Sequence, residues 1–241
     1  MMAGPCAVES EEQIMQIAGS VKSIGAKFLR GGAYKTRTSP YSFSGLGKAG
    51  LKLLRQAADV YQLKVVSEIT SERQLDEILT YCDVAQIGAR NMQNFELLKV
   101  LGQAKIPVLL KRAPGATIDE WISAAEYILA EGSSKVVLCE RGIRTFETQT
   151  RYTLDISAIP VLKAKTSLPV VVDPSHAAGY SGYVKALSLA ALSAGADGLL
   201  IEVHNAPNLA LSDSRQQITL DEYKNLFLEA KKVANAIDRK I

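Results

Sequence analysis

Four side chains able to hold a metal stand where apolar runs that read as β-strands come to an end. Cys6 follows the first run, His176 and Glu202 close the seventh and eighth, and Asp213 lies in the loop after the eighth. A thiol, an imidazole and two carboxylates gathered at strand ends are hard to explain as packing. Together they point to a divalent transition metal in an enzyme.

Cations cluster at the same ends. Arg30, Arg90, Lys111, Arg112 and Arg141 each sit at or just past a strand, with Glu68, Glu140, Asp173 and His204 among them, and the long loop after the second strand adds Lys35, Arg37 and Thr38. So many Arg and Lys side chains converging without matching acids would repel one another unless anions fill the space. The expected ligands are small, phosphorylated and more than one, with Arg forks on phosphate or carboxylate oxygens and Lys as point charge or proton donor. No GxxxxGK[ST] loop is present, which removes nucleoside triphosphates as the natural candidates.

What would position these residues is a regular alternation. Short β-branched runs at 2–6, 26–32, 64–70, 84–89, 107–111, 135–140, 169–175 and 198–204 are separated by helical patterns at about 10–24, 47–62, 71–81, 91–102, 118–131, 157–166, 180–194 and 219–238. Eight strand-then-helix units predict a (β/α)8 TIM barrel, whose reactive groups gather at the carboxyl ends of its strands. An open doubly wound sheet is the alternative, but its GxGxxG fingerprint is missing. Ser10, Thr70 with Ser71, Thr117 and Thr219, each before acidic residues, mark helix starts.

Composition agrees with a globular enzyme. The 241 residues are 47% hydrophobic and carry a net charge of +3 with interspersed signs, which suits neither a nucleic-acid nor a membrane surface. No apolar run approaches the roughly 18–20 residues that span a bilayer. Three cysteines without framework spacing fit a reducing compartment, so a cytoplasmic location is expected. Nothing marks a domain boundary, and one catalytic domain over 1–241 without a regulatory domain is expected, together with an absence of feedback inhibition.

The strings GPCAVES, FLRGGAYKTRTSPYSF, SEIT, QIGARNMQNFELLK, VLLKR, LCERGIRTFE, VVDPSHAAG, LLIEVH and ALSDSRQQIT, in this order over nearly the whole chain, resemble the 3-deoxy-D-arabino-heptulosonate 7-phosphate (DAHP) synthases of the short Iβ branch. That resemblance implies the first step of the shikimate pathway of aromatic amino acid biosynthesis: condensation of phosphoenolpyruvate with erythrose 4-phosphate and release of phosphate. It implies one divalent metal ion (Mn, Fe, Co, Zn or Cu) on Cys6, His176, Glu202 and Asp213, in agreement with the donor types. It further implies a phosphoenolpyruvate pocket of Arg30, Lys35, Glu68, Ala89, Arg90, Lys111 and Arg141, an erythrose 4-phosphate clamp of Arg37 and Thr38, and a homodimer or homotetramer. Lys35, at the junction of the two substrates, is expected to be the proton donor, with a pKa lowered by its cationic neighbours. The KTRTSP segment is of the type that takes a four-carbon aldose, against the KANRSS-like stretch of 3-deoxy-octulosonate 8-phosphate synthases.

Some positions depart from the family pattern. Thr36 replaces a loop-stiffening proline, and KRAPGAT and DSRQQ differ on the acceptor side. Simpler roles are expected for other residues: Cys82 and Cys139 as buried small hydrophobes, on a helix and in a strand, Trp121 as core and His204 as a structural group, while Arg112 and Arg144 stay open between the mouth and the solvated surface. A five-carbon acceptor, or a phosphate-binding barrel that has lost turnover, are the alternative functions.

Overall fold

The computed structural model describes residues 1–36, 39 and 41–239. Eight strands run parallel: β1 (Met2–Gly4), β2 (Phe28–Arg30), β3 (Lys64–Ile69), β4 (Val84–Ile87), β5 (Val108–Lys111), β6 (Val136–Glu140), β7 (Val170–Val172) and β8 (Gly198–Glu202). They pair in chain order, and β8 pairs back onto β1, which closes a (β/α)8 barrel and excludes the open sheet. Around it lie α1 (Glu11–Ile24), α2 (Lys48–Val60), α3 (Leu75–Tyr81), α4 (Phe95–Ala104), α5 (Ile118–Ala130), α6 (Ala158–Lys165), α8 (Ser181–Ser193) and α9 (Leu220–Ala236), with a short α7 (Pro174–Ala178) directly after β7. None of the described helices is long and apolar enough to cross a membrane.

The helix starts follow their caps. Ser10 accepts from the Gln13 amide, and Thr117 and Thr219 form full capping boxes with Glu120 and Glu222. The seventh strand is shorter than its apolar run predicts, because Asp173 accepts from the His176 amide and Pro174 takes the first helical position, so the chain turns into α7 at once. Cys82 lies just past α3, half-buried, and is not part of the helix.

Period-two alternation decides what each strand does. Met2, Phe28, Val66, Val84, Leu109, Cys139, Val171 and Leu200 pack together as the floor inside the barrel. Two residues further along the same face stand Arg30, Glu68, Gln86, Lys111, Arg141, Asp173 and Glu202. The intervening Leu29, Val65, Ile87, Leu110, Leu138, Val172 and Ile201 sink beneath the helices in the main core, each burial stabilising by about 1.5–3 kcal/mol. One face therefore changes from hydrocarbon to charge within a single step, and the floor excludes water from below the charged layer.

At the opposite end of the barrel Asp83 fixes β3 to β4, accepting from the Val65 amide at 2.8 Å, Arg55 at 2.8 Å and Lys64 at 3.0 Å. Burial pushes its carboxyl up, but the amide and the two cations outweigh burial and hold it below the usual value of 3.8. The stability this contributes is present above the unfolded pKa and is lost as pH falls through the depressed folded value. Asp83→Ala should lower stability in urea by about 1–3 kcal/mol at pH 7, with the gap to wild type closing in acid below pH 3.8. Coincident unfolding midpoints at pH 7 would contradict this.

Candidate active site

The four metal-capable residues meet at the carboxyl end of the barrel. Their ligand atoms all lie within 4.8 Å of one another. Cys6 Sγ is 3.4 Å from Asp213 Oδ2, and His176 Nε2 is 3.6 Å from Glu202 Oε1 and 4.0 Å from Asp213 Oδ2. Two donors bound at 2.0–2.3 Å to one ion stand no more than about 4.6 Å apart, and the separations of 3.4, 3.6 and 4.0 Å lie inside that limit. Local structure aims each donor. The Cys6 amide donates to Gln217 Oε1, the Glu202 amide donates to Ser175 Oγ, and α7 carries His176. Asp213 takes the left-handed conformation at φ 47°, one that Asp tolerates better than most residues.

Protonation suits a metal as well. Burial pulls His176 below its ordinary value, the direction that favours the lone pair a metal needs. Burial raises Glu202 and Asp213, but His176 and the cations around them prevail and hold both carboxylates below their ordinary values, Asp213 at about 2. Burial pushes the Cys6 thiol up to about 12, so a metal must displace a proton there. Behind the donors, Asp173 Oδ2 lies 2.7 Å from His176 Nδ1 and accepts from Lys111 Nζ at 2.6 Å. Such outer carboxylates fix the tautomer and aim of a ligating histidine.

Beside this group opens a cleft of about 720 Å³, its mouth included, lined by Arg30, Lys35, Glu68, Ala89, Arg90, Lys111, Arg141, His176 and Asp213. Every described residue expected in the phosphoenolpyruvate pocket is there. Arg37 and Thr38 lie outside the described residues. Acids match two of the cations, contrary to expectation: Arg30 pairs with Glu202 at 2.9 Å and Lys111 with Asp173. Arg141 keeps a buried NH1 nitrogen without a hydrogen-bond partner among the described residues.

Three expectations need correction. Arg112 is neither a surface charge nor part of the mouth: it is buried against Glu140 at 3.0 Å and Asp155 at 2.9 Å, because it and Glu140 fall on the outward parity of their strands. Glu140 leaves the mouth for the same reason. Lys35 is not depressed by its cationic neighbours. Burial does pull it down, but Cys6 and Glu202 outweigh burial and Arg30, and its pKa is raised. His204 is structural as expected, 3.0 Å from Gln13 Nε2 and accepting from the Ala206 amide.

Other residues of the site escaped the sequence reading. Gln216 donates to Glu202 Oε2 at 2.6 Å, and Ser212 Oγ lies 3.3 Å from Cys6 Sγ. Arg151 donates to Gln216 and stands 3.5 Å from Asp213, while Tyr152 lines the cleft. All four come from loops without a periodic signal. The Asp-Pro pair at 173–174 was the one available sign of α7.

Comparison with known proteins places this geometry. The chain is 51% identical over 241 residues to the phospho-2-dehydro-3-deoxyheptonate aldolase of Thermotoga maritima, covering all of this chain and 71% of the relative. A 2-dehydro-3-deoxyphosphooctonate aldolase of Desulfotalea psychrophila is 29% identical over 256 residues, with 99% and 90% covered. The crystal structure of the Thermotoga maritima DAHP synthase superposes with a TM-score of 0.97 at 51% identity, over 99% of this chain and 70% of that one. A truncated form of the DAHP synthase from the same organism gives 0.93 at 47% identity, over 99% and 87%. The family model described as the DAHP synthetase I family matches residues 1–239, and the chain belongs to that family.

Proposed function

We propose that this chain is a metal-dependent DAHP synthase, condensing phosphoenolpyruvate with erythrose 4-phosphate to give DAHP and inorganic phosphate. The observation that carries the reading is the joint placement of Cys6, His176, Glu202 and Asp213 beside six cleft cations, Arg30, Lys35, Arg90, Lys111, Arg141 and Arg151. A bound divalent ion, one of Mn, Fe, Co, Zn or Cu, would supply Lewis-acid polarisation of the acceptor aldehyde or help deliver water.

The protein's own residues do the rest. Arg90, Lys111, Arg141 and the Ala89 backbone hold the phosphate end of phosphoenolpyruvate, and Arg30, Lys35 and Glu68 line its other side. Fixed cations in a cleft with a dry floor lower the barrier through orientation and charge. Carbon 3 of phosphoenolpyruvate then bonds to the aldehyde carbon, leaving positive character at carbon 2. Water adds at carbon 2, and the hemiketal phosphate collapses with loss of phosphate. Lys35, an ammonium at neutral pH, gives a proton to the oxygen that was the aldehyde.

Arg37 and Thr38 hold the acceptor phosphate in this reading. The neighbouring Thr36 carbonyl accepts from Arg90 at 3.4 Å, which links the acceptor loop to the phosphoenolpyruvate side. A homodimer or homotetramer is part of this reading, as the family resemblance implies. The free thiols support a reducing, cytoplasmic setting.

The acceptor is tested by measuring phosphate release from phosphoenolpyruvate with four- and five-carbon aldose phosphates. Erythrose 4-phosphate should show at least about tenfold higher kcat/KM. Equal or reversed preference would overturn the assignment in favour of the octulosonate type. An absence of phosphate release with either sugar would leave only a binding barrel.

A further inference from the structure

Three guanidinium groups surround one phenol ring at the edge of the cleft. The Arg141 guanidinium carbon lies 4.2 Å from the Tyr152 ring centroid, with Arg144 at 5.9 Å and Arg151 at 6.0 Å. These distances are within reach of cation–π attraction, which is strongest where water is excluded. Arg141 is buried, and its NH1 nitrogen has no hydrogen-bond partner among the described residues while the residue lines the cleft.

The surrounding backbone is shaped to bring the ring there. Gly142 takes φ +95°, and a Cβ on it would lie 2.6 Å from the Tyr152 Cβ, so only glycine lets the two segments approach. The Tyr152 amide donates to the Ala177 carbonyl at 2.8 Å and the Arg151 amide to the Ala178 carbonyl at 3.0 Å. Both bonds anchor the segment to α7, the helix that carries His176. Burial pushes the phenol up, but the charge of Arg141, a hydrogen bond from that guanidinium, and the charges of Arg151 and Arg144 bring it below its ordinary value, as expected for a ring inside a cationic group.

We propose that Tyr152 is a positioning residue for anion binding, its ring face holding the Arg141 guanidinium so that the N–H donors stay available to the phosphate of phosphoenolpyruvate. A carboxylate at this place would also hold Arg141, but it would neutralise the charge and occupy the donors. An aromatic face attracts the cation through its quadrupole without neutralising it, and the NH1 donor stays free. The ring also relieves the mutual repulsion of three like charges before substrate arrives. The inference rests on the phosphoenolpyruvate reading of the cleft given above.

The test is calorimetric binding of phosphoenolpyruvate to the full chain, with steady-state kinetics and thermal unfolding alongside. Arg141→Ala is the control for the cleft and should weaken binding strongly. Tyr152→Leu, which fills space without a π face, should weaken binding and raise the phosphoenolpyruvate KM by about tenfold. Its kcat should stay within about threefold, because the ring acts through Arg141 and not on the reacting atoms. Tyr152→Phe should recover affinity to within about threefold of wild type. In the double variant Tyr152→Leu with Arg141→Ala, the tyrosine change should add nothing to the arginine change.

Failure of the two readings looks different. If Arg141→Ala binds phosphoenolpyruvate like wild type, the cleft assignment itself is wrong. If Arg141→Ala is weak while Tyr152→Leu is not, or if Tyr152→Phe is as weak as Tyr152→Leu, the positioning role is overturned alone. Tyr152→Asn is the second ring-free variant should Tyr152→Leu fail to fold, with the same outcomes.

Discussion

Lys35→Met should fold normally and turn over about 10²–10⁴-fold more slowly than wild type. The Lys35 ammonium sits 3.0 Å from the Cys6 carbonyl and 2.9 Å from Cys6 Sγ, at the seam between the four donors and the cleft cations. In the proposed mechanism it is the proton donor to the oxygen that must be protonated after the carbon–carbon bond forms. Methionine keeps the length of the stem and removes only the charge and protons. Because the ammonium also faces Cys6, metal content should be measured on the same sample. A large loss of kcat with metal retained supports the proton-donor role. Near-normal kcat would remove Lys35 from the mechanism.

Asp213→Ala should weaken metal affinity by more than the roughly 10–100-fold that loss of an outer-shell partner costs. Turnover at trace metal should vanish with it. Asp213 is the least buried of the two carboxylate donors, and Arg151, its salt-bridge neighbour at 3.5 Å, is partly exposed. Its removal therefore leaves no charge stranded in the interior. Glu202 is different: without it Arg30 would be buried and unpaired, a loss of about 3–5 kcal/mol that confuses stability with metal binding. Chelator competition on Asp213→Ala separates the two, and unchanged metal affinity in that variant would exclude Asp213 as a ligand.

Most of the fold was legible because each strand is short, nearly all apolar and followed by a capped amphipathic helix. The site was legible through parity. Arg30, Glu68, Lys111, Arg141, Asp173 and Glu202 each continue the inward face of a strand whose floor residue is apolar, so their types alone betray a charged layer. Arg112 and Glu140 break that parity by one residue. They were misplaced because counting residues at a strand end does not ask which way they point. The Lys35 pKa was misjudged for a related reason. Composition shows many cations nearby, but it does not show that Cys6 and Glu202 are closer in effect than Arg30.

Loop residues were hardest to foresee. Arg151, Tyr152, Ser212 and Gln216 reach the site through irregular backbone, where neither a period of two nor one of 3.6 predicts direction. Their positions depend on single contacts, such as the Gln217 side chain, which accepts from the Cys6 amide and donates to the Ser212 carbonyl. A glycine at 142 and an αL aspartate at 213 complete those loops, and both depend on tertiary context.

The central claim is that one ion, held by a thiolate, an imidazole and two carboxylates, is required for joining the two substrates. The most direct measurement is phosphate release from phosphoenolpyruvate by chelator-treated protein, with and without erythrose 4-phosphate, as a divalent metal is titrated back. The account predicts no release without metal, recovery that saturates at one equivalent per chain, and strict dependence on erythrose 4-phosphate. Full turnover in protein shown to be metal-free would contradict it.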